Sequence, residues 1–125
     1  MHARRTPRVL VIDDHIEMAE TVADALSERG YDAMATASAR EALRMLRAER
    51  FDAVVTDLLM PDIDGLTLLR ASRGMDPSRP VMIMTAFASL ETALAASDDG
   101  AYHYPTKPFR VDTLVWLIER AIAGA

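Results

Sequence analysis

Short apolar runs rich in β-branched residues alternate along the chain with longer stretches whose apolar positions recur every three or four residues, the pattern of β-α units around a parallel sheet. The runs fall at residues 9–12, 31–36, 53–56, 81–84 and 101–104. The first, third and fourth are almost wholly apolar, as strands covered on both faces are, and are expected at the centre of the sheet. The other two carry polar residues and are expected at its edges.

Five helical patterns lie between and after these runs. The first buries Ile16, Ala19, Val22, Ala23 and Leu26 and stops at Gly30, a residue suited to a left-handed cap. The second opens on Ser38-Ala39-Arg40-Glu41, with the serine and glutamate spaced as a capping box, and buries Ala42, Leu43 and Leu46. A third spans residues 65–72, and the glycine and proline in 73–79 predict a loop. The fourth covers 89–97. The last covers 111–123 and buries Val111, Leu114, Val115, Ile118 and Ile122, with Arg110 where a Ser or Asp cap is usual. Five β-α units are too few for a closed eight-stranded barrel, so the expected fold is α/β, an open doubly wound parallel sheet. In such sheets ligands bind outside the carboxyl ends of the strands.

Composition narrows the picture. The 125 residues, half of them hydrophobic, suit one domain over 1–125. Fourteen Lys and Arg against nineteen Asp and Glu leave a net charge of −5, which gives no sign of direct nucleic-acid contact and favours cationic partners, metals included. The chain has no Cys, so disulfide scaffolds, thiolate metal sites and cysteine nucleophiles are excluded. No apolar run is long enough for a membrane helix or an export signal, and a cytoplasmic setting is expected.

The candidate chemistry gathers at the strand ends. The first run ends in Asp13-Asp14, the third in Asp57, the fourth in Thr85, and Lys107-Pro108 follows the fifth. Each piece alone has a plainer role as a helix cap, turn former or solvated loop residue. Their concurrence on one sheet edge points to a site. Clustered carboxylates repel one another unless a hard cation neutralises them, and Mg²⁺, which takes carboxylate, water and phosphate oxygens, fits best. Lys107 would offer a mobile point charge to a phosphate.

The residues Val9-Leu10-Val11-Ile12-Asp13-Asp14, Asp57-Leu58-Leu59-Met60-Pro61-Asp62-Ile63-Asp64-Gly65, Met84-Thr85-Ala86, Gly100-Ala101 through Tyr104, and Lys107-Pro108-Phe109 together resemble the receiver domain of two-component response regulators. The resemblance spans the chain from end to end. It implies a flavodoxin-like sheet of strand order 2-1-3-4-5. It also implies a phosphoacceptor, Asp57, that takes a phosphoryl group from a histidine kinase, and a Mg²⁺ held by Asp13, Asp14, Asp57 and the backbone carbonyl of Leu59. Thr85 and Lys107 would contact phosphoryl oxygens, and small Ala86 would leave them room. Such a domain is not an enzyme beyond slow self-dephosphorylation.

The resemblance further implies a switch in which Thr85 is drawn toward the phosphoryl group and Tyr104 fills the space it leaves. The face made by the fourth helix, fifth strand and fifth helix would read this out to an output domain or partner protein, or pair two copies as a homodimer. Tyr102 shares the parity of Tyr104, so a packing role for the tyrosine stays open. Lys107-Pro108 would be cis, a bond that only proline makes inexpensive. Pro105 and Arg110 depart from the usual pattern near the readout face. Leu59 and Phe87 flank the expected water path and would slow hydrolysis of the acyl phosphate. Asp62 and Asp64 read as solvated loop charges rather than ligands. The segments around Thr85, Tyr104 and Lys107 resemble receivers of the nitrogen-regulator type, which precede an AAA+ ATPase and a DNA-binding helix-turn-helix, and so imply transcriptional output.

Two other readings compete. A Mg²⁺-dependent phosphatase of the haloacid-dehalogenase type also uses an Asp nucleophile, but needs Asp-x-Asp at the first strand and usually a capping insertion. A receiver that docks or dimerises without phosphorylation would not need Asp13, Asp14, Asp57, Thr85 and Lys107 together.

Overall fold

The computed structural model describes residues 6–57, 60–84, 102–103 and 110–124. Five strands, β1 (Arg8–Ile12), β2 (Asp32–Thr36), β3 (Ala53–Asp57), β4 (Val81–Met84) and β5 (Tyr102–His103), form one sheet in the order β2-β1-β3-β4-β5. Every adjacent pair is parallel. The expected strand order and the central position of β1, β3 and β4 therefore hold. Every residue of β3 and β4 is buried, whereas β2 opens on an exposed Asp32 and continues half-buried until Thr36.

The pleat sorts the strand residues into two cores. Val9, Val11, Ala53, Val55, Met82 and Met84 pack with α1 (Ile16–Glu28) and the C-terminal helix (Val111–Gly124). Leu10, Ile12, Val54, Val81 and Ile83 face the other way, toward α2 (Ala39–Ala48) and α3 (Gly65–Met75). Among the described residues two helices lie on each face, so the sheet is doubly wound. The predicted helix at 89–97 lies outside the described residues.

Local chemistry sets the helix ends. Gly30, at φ +93°, occupies the left-handed position after α1, and the amides of Gly30 and Tyr31 donate to the carbonyls of Ser27 and Leu26 in a Schellman pattern. Ser38 caps α2 by accepting the Glu41 amide at 3.1 Å. The capping box is only half formed, because the Ser38 amide donates to Thr36 Oγ1 at 3.3 Å and the Glu41 carboxylate pairs with Arg44.

The structure corrects three expectations. Residues 73–75 continue α3, Gly74 included, where a loop was expected. The buried Arg79 braces the extra turn: its guanidinium donates to Ser72 Oγ at 3.0 Å and to the Ser72 carbonyl at 3.2 Å, the same carbonyl that accepts the Asp76 amide at 2.9 Å. Burial lowers the pKa of Arg79, and Asp76 opposes the shift. Ile16 is 38% exposed rather than part of the buried stripe: it is the first helical residue, and the stripe buries Ala19, Val22, Ala23 and Leu26 only from the next turn on. Leu43, Val111 and Ile122 are half-buried at the flanks of their stripes, and Ala121 takes the inward place at the end of the C-terminal helix.

At the opposite pole from the carboxyl edge, Arg8 ties the sheet to the end of α2. Its guanidinium donates to Asp32 Oδ2 at 3.0 Å, Glu49 Oε1 at 2.9 Å and the Arg50 carbonyl at 2.8 Å, and lies 4.6 Å from the centre of the Phe51 ring. Among the described residues, no helix is long and apolar enough to cross a membrane.

Candidate functional site

Two central strands deliver the acidic residues to one edge. The parallel register pairs Val11 with Val55 and Ile12 with Thr56, so Asp13 and Asp57 follow as neighbours across β1 and β3. The Asp13 amide donates to the Thr36 carbonyl at 3.2 Å, which carries the β1–β2 ladder one residue past the strand. On the other side, Asp57 pairs with Met84, the last residue of β4.

Asp13 and Asp57 are 0% and 7% exposed, a burial rare for carboxylates and expected only where they are engaged. Asp13 Oδ1 accepts the His15 amide at 2.9 Å, which turns the chain from β1 into α1. Asp14 keeps a third of its side chain in solvent. Oxygens of Asp13 and Asp14 and a ring nitrogen of His15 all lie within 4.8 Å of one another. Asp57 stands outside that set, one strand away. The donors include a fully buried carboxylate beside a partly exposed one at a strand edge, a combination that fits a divalent cation open to solvent on one side.

Asp13, Asp14 and Asp57 are thus placed as expected. Leu59, Thr85, Tyr104 and Lys107 lie outside the described residues, as do the Lys107-Pro108 peptide bond, Ala86 and Phe87. His15 was not singled out in the sequence, although a histidine directly after Asp-Asp was a legible signal.

Asp62 and Asp64, expected as solvated loop charges, are both engaged with helix N-termini. Asp64 caps α3, its Oδ1 accepting the Thr67 amide at 2.8 Å. Asp62 Oδ2 accepts the Arg40 amide at 3.2 Å and contacts Ser38 Oγ at 3.4 Å, so the loop after β3 also caps α2. Some desolvation raises the Asp62 pKa, but the amides of Ile63 and Arg40 and the Ser38 hydroxyl outweigh it and hold the carboxyl below its ordinary value.

Comparison with known proteins agrees with this geometry. A family model described as the response regulator receiver domain matches residues 9–119. The transcriptional regulatory protein ZraR of Escherichia coli (strain K12) is 37% identical over 115 residues, covering 92% of this chain and 26% of that protein. The DNA-binding transcriptional regulator NtrC of Proteus hauseri is 39% identical over 114 residues, covering 91% of this chain and 24% of that protein. The chain spans about a quarter of the length of these curated relatives. Among solved structures, a CheY-like receiver domain protein from Methanospirillum hungatei superposes with a TM-score of 0.91 at 27% identity, covering 96% of both chains. The beryllofluoride-activated NtrC4 receiver domain dimer does so with a TM-score of 0.87 at 32% identity, covering 94% of this chain and 97% of its own.

Proposed function

Because the chain belongs to the response regulator receiver domain family, we propose that it is phosphorylated on Asp57 by a histidine kinase and passes the signal to a transcriptional output domain. Receiver domains are phosphoacceptors that bind Mg²⁺ at an acidic pocket and act with a kinase and an output domain. The carrying observation is the buried Asp57 at the end of β3, one strand from the Asp13-Asp14 pair.

In the proposed reaction a carboxylate oxygen of Asp57 attacks phosphorus in line with the phosphohistidine nitrogen of the kinase. The new P–O bond makes an acyl phosphate, and the broken P–N bond leaves its electron pair on the histidine. Asp13, Asp14, Asp57 and the Leu59 carbonyl would hold Mg²⁺, which when bound offsets charge on the transferring oxygens. Thr85 follows Met84, the β4 partner of Asp57, and this supports its assignment to a phosphoryl oxygen. Lys107 takes another.

Movement of Thr85, with Tyr104 filling the space, would couple the site to the face of β5, the C-terminal helix and the segment between β4 and β5. Output then follows through that face, either by contact with another domain or by pairing of two copies, as the activated NtrC4 receiver forms a dimer. Leu59 and Phe87 keep self-dephosphorylation slow.

Mass spectrometry after incubation with acetyl phosphate and Mg²⁺ tests the reading. One added phosphoryl group in the wild type and none in Asp57→Asn is the expected result. An unmodified wild type, or an Asp57→Asn variant that still gains the group, would overturn it.

A further inference from the structure

Two rows of like charge lie on opposite faces of the sheet. On α1, Glu17, Glu20, Asp24 and Glu28 recur every three or four residues, and all four are exposed with no ion pair among the described residues. Like charges four residues apart destabilise a helix, and Glu28 stands in the last turn, the end where the helix dipole disfavours an anion. No basic residue in that turn offsets it. One turn before Glu20, the large apolar side chain of Ile16 is left 38% exposed.

The row on the other face is basic. On α2, Arg40, Arg44 and Arg47 are exposed along one side of the helix. Arg44 pairs with Glu41, while the Arg40 and Arg47 guanidiniums meet no carboxylate among the described residues. The three arginines line a cleft of about 420 Å³, to which half-buried Leu43 of α2 and Ile63 of the loop after β3 add apolar surface. The cleft thus joins an apolar seat to cationic side chains. The two rows cannot meet within one chain, because α1 and α2 pack on opposite faces of the sheet.

Both rows advance by one charge per helical turn, about 5.4 Å, so carboxylates and guanidiniums come into step when the two helices lie side by side. We infer that α1 of one copy docks on the α2 cleft of a second copy, its acidic row against Arg40, Arg44 and Arg47 and its Ile16 on Leu43 and Ile63. Because the two surfaces differ and lie on opposite faces, the contact is head-to-tail and repeats from copy to copy. Exposed ion pairs are individually weak and screened by salt. The association is therefore weak, salt-sensitive and separate from any pairing through the face of β5 and the C-terminal helix.

Sedimentation equilibrium of the unphosphorylated protein tests this at about 0.1 M salt, where a Debye length of about 10 Å mutes the long-range repulsion between copies but not contact pairs. The average mass should climb above that of the monomer as concentration rises toward millimolar, and fall back at about 1 M salt. Arg40→Glu/Arg47→Glu and Glu20→Arg/Asp24→Arg should each weaken association by about tenfold or more, and Ile16→Gln by several-fold. Mixing the two double variants should restore it, because the acidic α2 of one then meets the basic α1 of the other. Circular dichroism checks that each variant is folded. A wild type that stays monomeric, association indifferent to salt, or a mixture of folded variants that stays monomeric overturns the inference. Double variants that each associate as the wild type does overturn it too, by assigning the contact to another face.

Discussion

Asp62 Oδ2 accepts the amide hydrogen of Arg40 at 3.2 Å, and through this bond the loop that leaves β3 holds the first turn of α2. Two side chains from different segments thus share one helix N-terminus, Ser38 on the Glu41 amide and Asp62 on the Arg40 amide. Any rearrangement of the loop after Asp57 is felt at α2 without passing through the sheet.

Loss of the Ser38 cap should therefore be measurable and coupled to Asp62. Ser38→Ala is expected to cost about 1 kcal/mol in urea unfolding, the usual worth of an N-cap hydroxyl. Ser38 Oγ also contacts Asp62, so the double variant Ser38→Ala/Asp62→Ala should depart from the sum of the single changes. Strict additivity would show that the two caps act independently.

The acid limb of the stability curve follows from the two depressed carboxyls. Asp62 is held low despite some desolvation by the amides of Ile63 and Arg40, and Asp76 by the hydroxyl and amide of Ser78. A folded pKa below the unfolded one, about 3.9, stabilises the protein above that value, and the gain is lost as pH falls through the folded pKa. Unfolding midpoints of the wild type should exceed those of Asp62→Asn and Asp76→Asn near neutral pH and converge with them below about pH 4. A gap that widens in acid would contradict these assignments.

The residues that carry the fold also show what could be read in advance. β1, β3 and β4 declared themselves because burial on both faces demands unbroken apolar runs, and their order placed Asp13, Asp14 and Asp57 on one edge. The last turn of α3 did not, because Gly74 and Pro77 are local breakers. The helix nevertheless runs through Gly74 to Met75, braced by a bond from Arg79, seven residues beyond Ser72, that no local pattern announces. Asp62 shows the same limit. A loop aspartate looks solvated until α2, more than twenty residues upstream, is seen to present an amide to it. Ile16 has the right spacing for the stripe of α1, but spacing does not say that burial starts only in the helix's second turn.

Arg79 makes that tertiary bond testable. Lysine keeps the charge but cannot span Ser72 Oγ and the Ser72 carbonyl as the guanidinium does. Arg79→Lys is expected to cost about 1–3 kcal/mol, the range for a buried hydrogen bond to a charged group. Hydrogen exchange should speed up at the Met75 and Asp76 amides while the amides of β1 stay protected. Uniform deprotection across the molecule would show that Arg79 supports the core rather than the helix end.

Lys107 is the chain's single lysine, the other thirteen basic residues all being arginine. Amine-selective acetylation therefore has one side-chain target besides the N-terminus, and that target is the residue proposed to contact the phosphoryl group. With Mg²⁺ and beryllofluoride, the activator named for the NtrC4 receiver structure, Lys107 should acetylate several-fold more slowly while the N-terminus reacts unchanged. Asp57→Asn should abolish the protection, since beryllofluoride needs the carboxylate to seat. Equal labelling of Lys107 in the presence and absence of beryllofluoride in the wild type would separate Lys107 from the site. Protection that persists in Asp57→Asn would place the anion on groups other than the β3 aspartate.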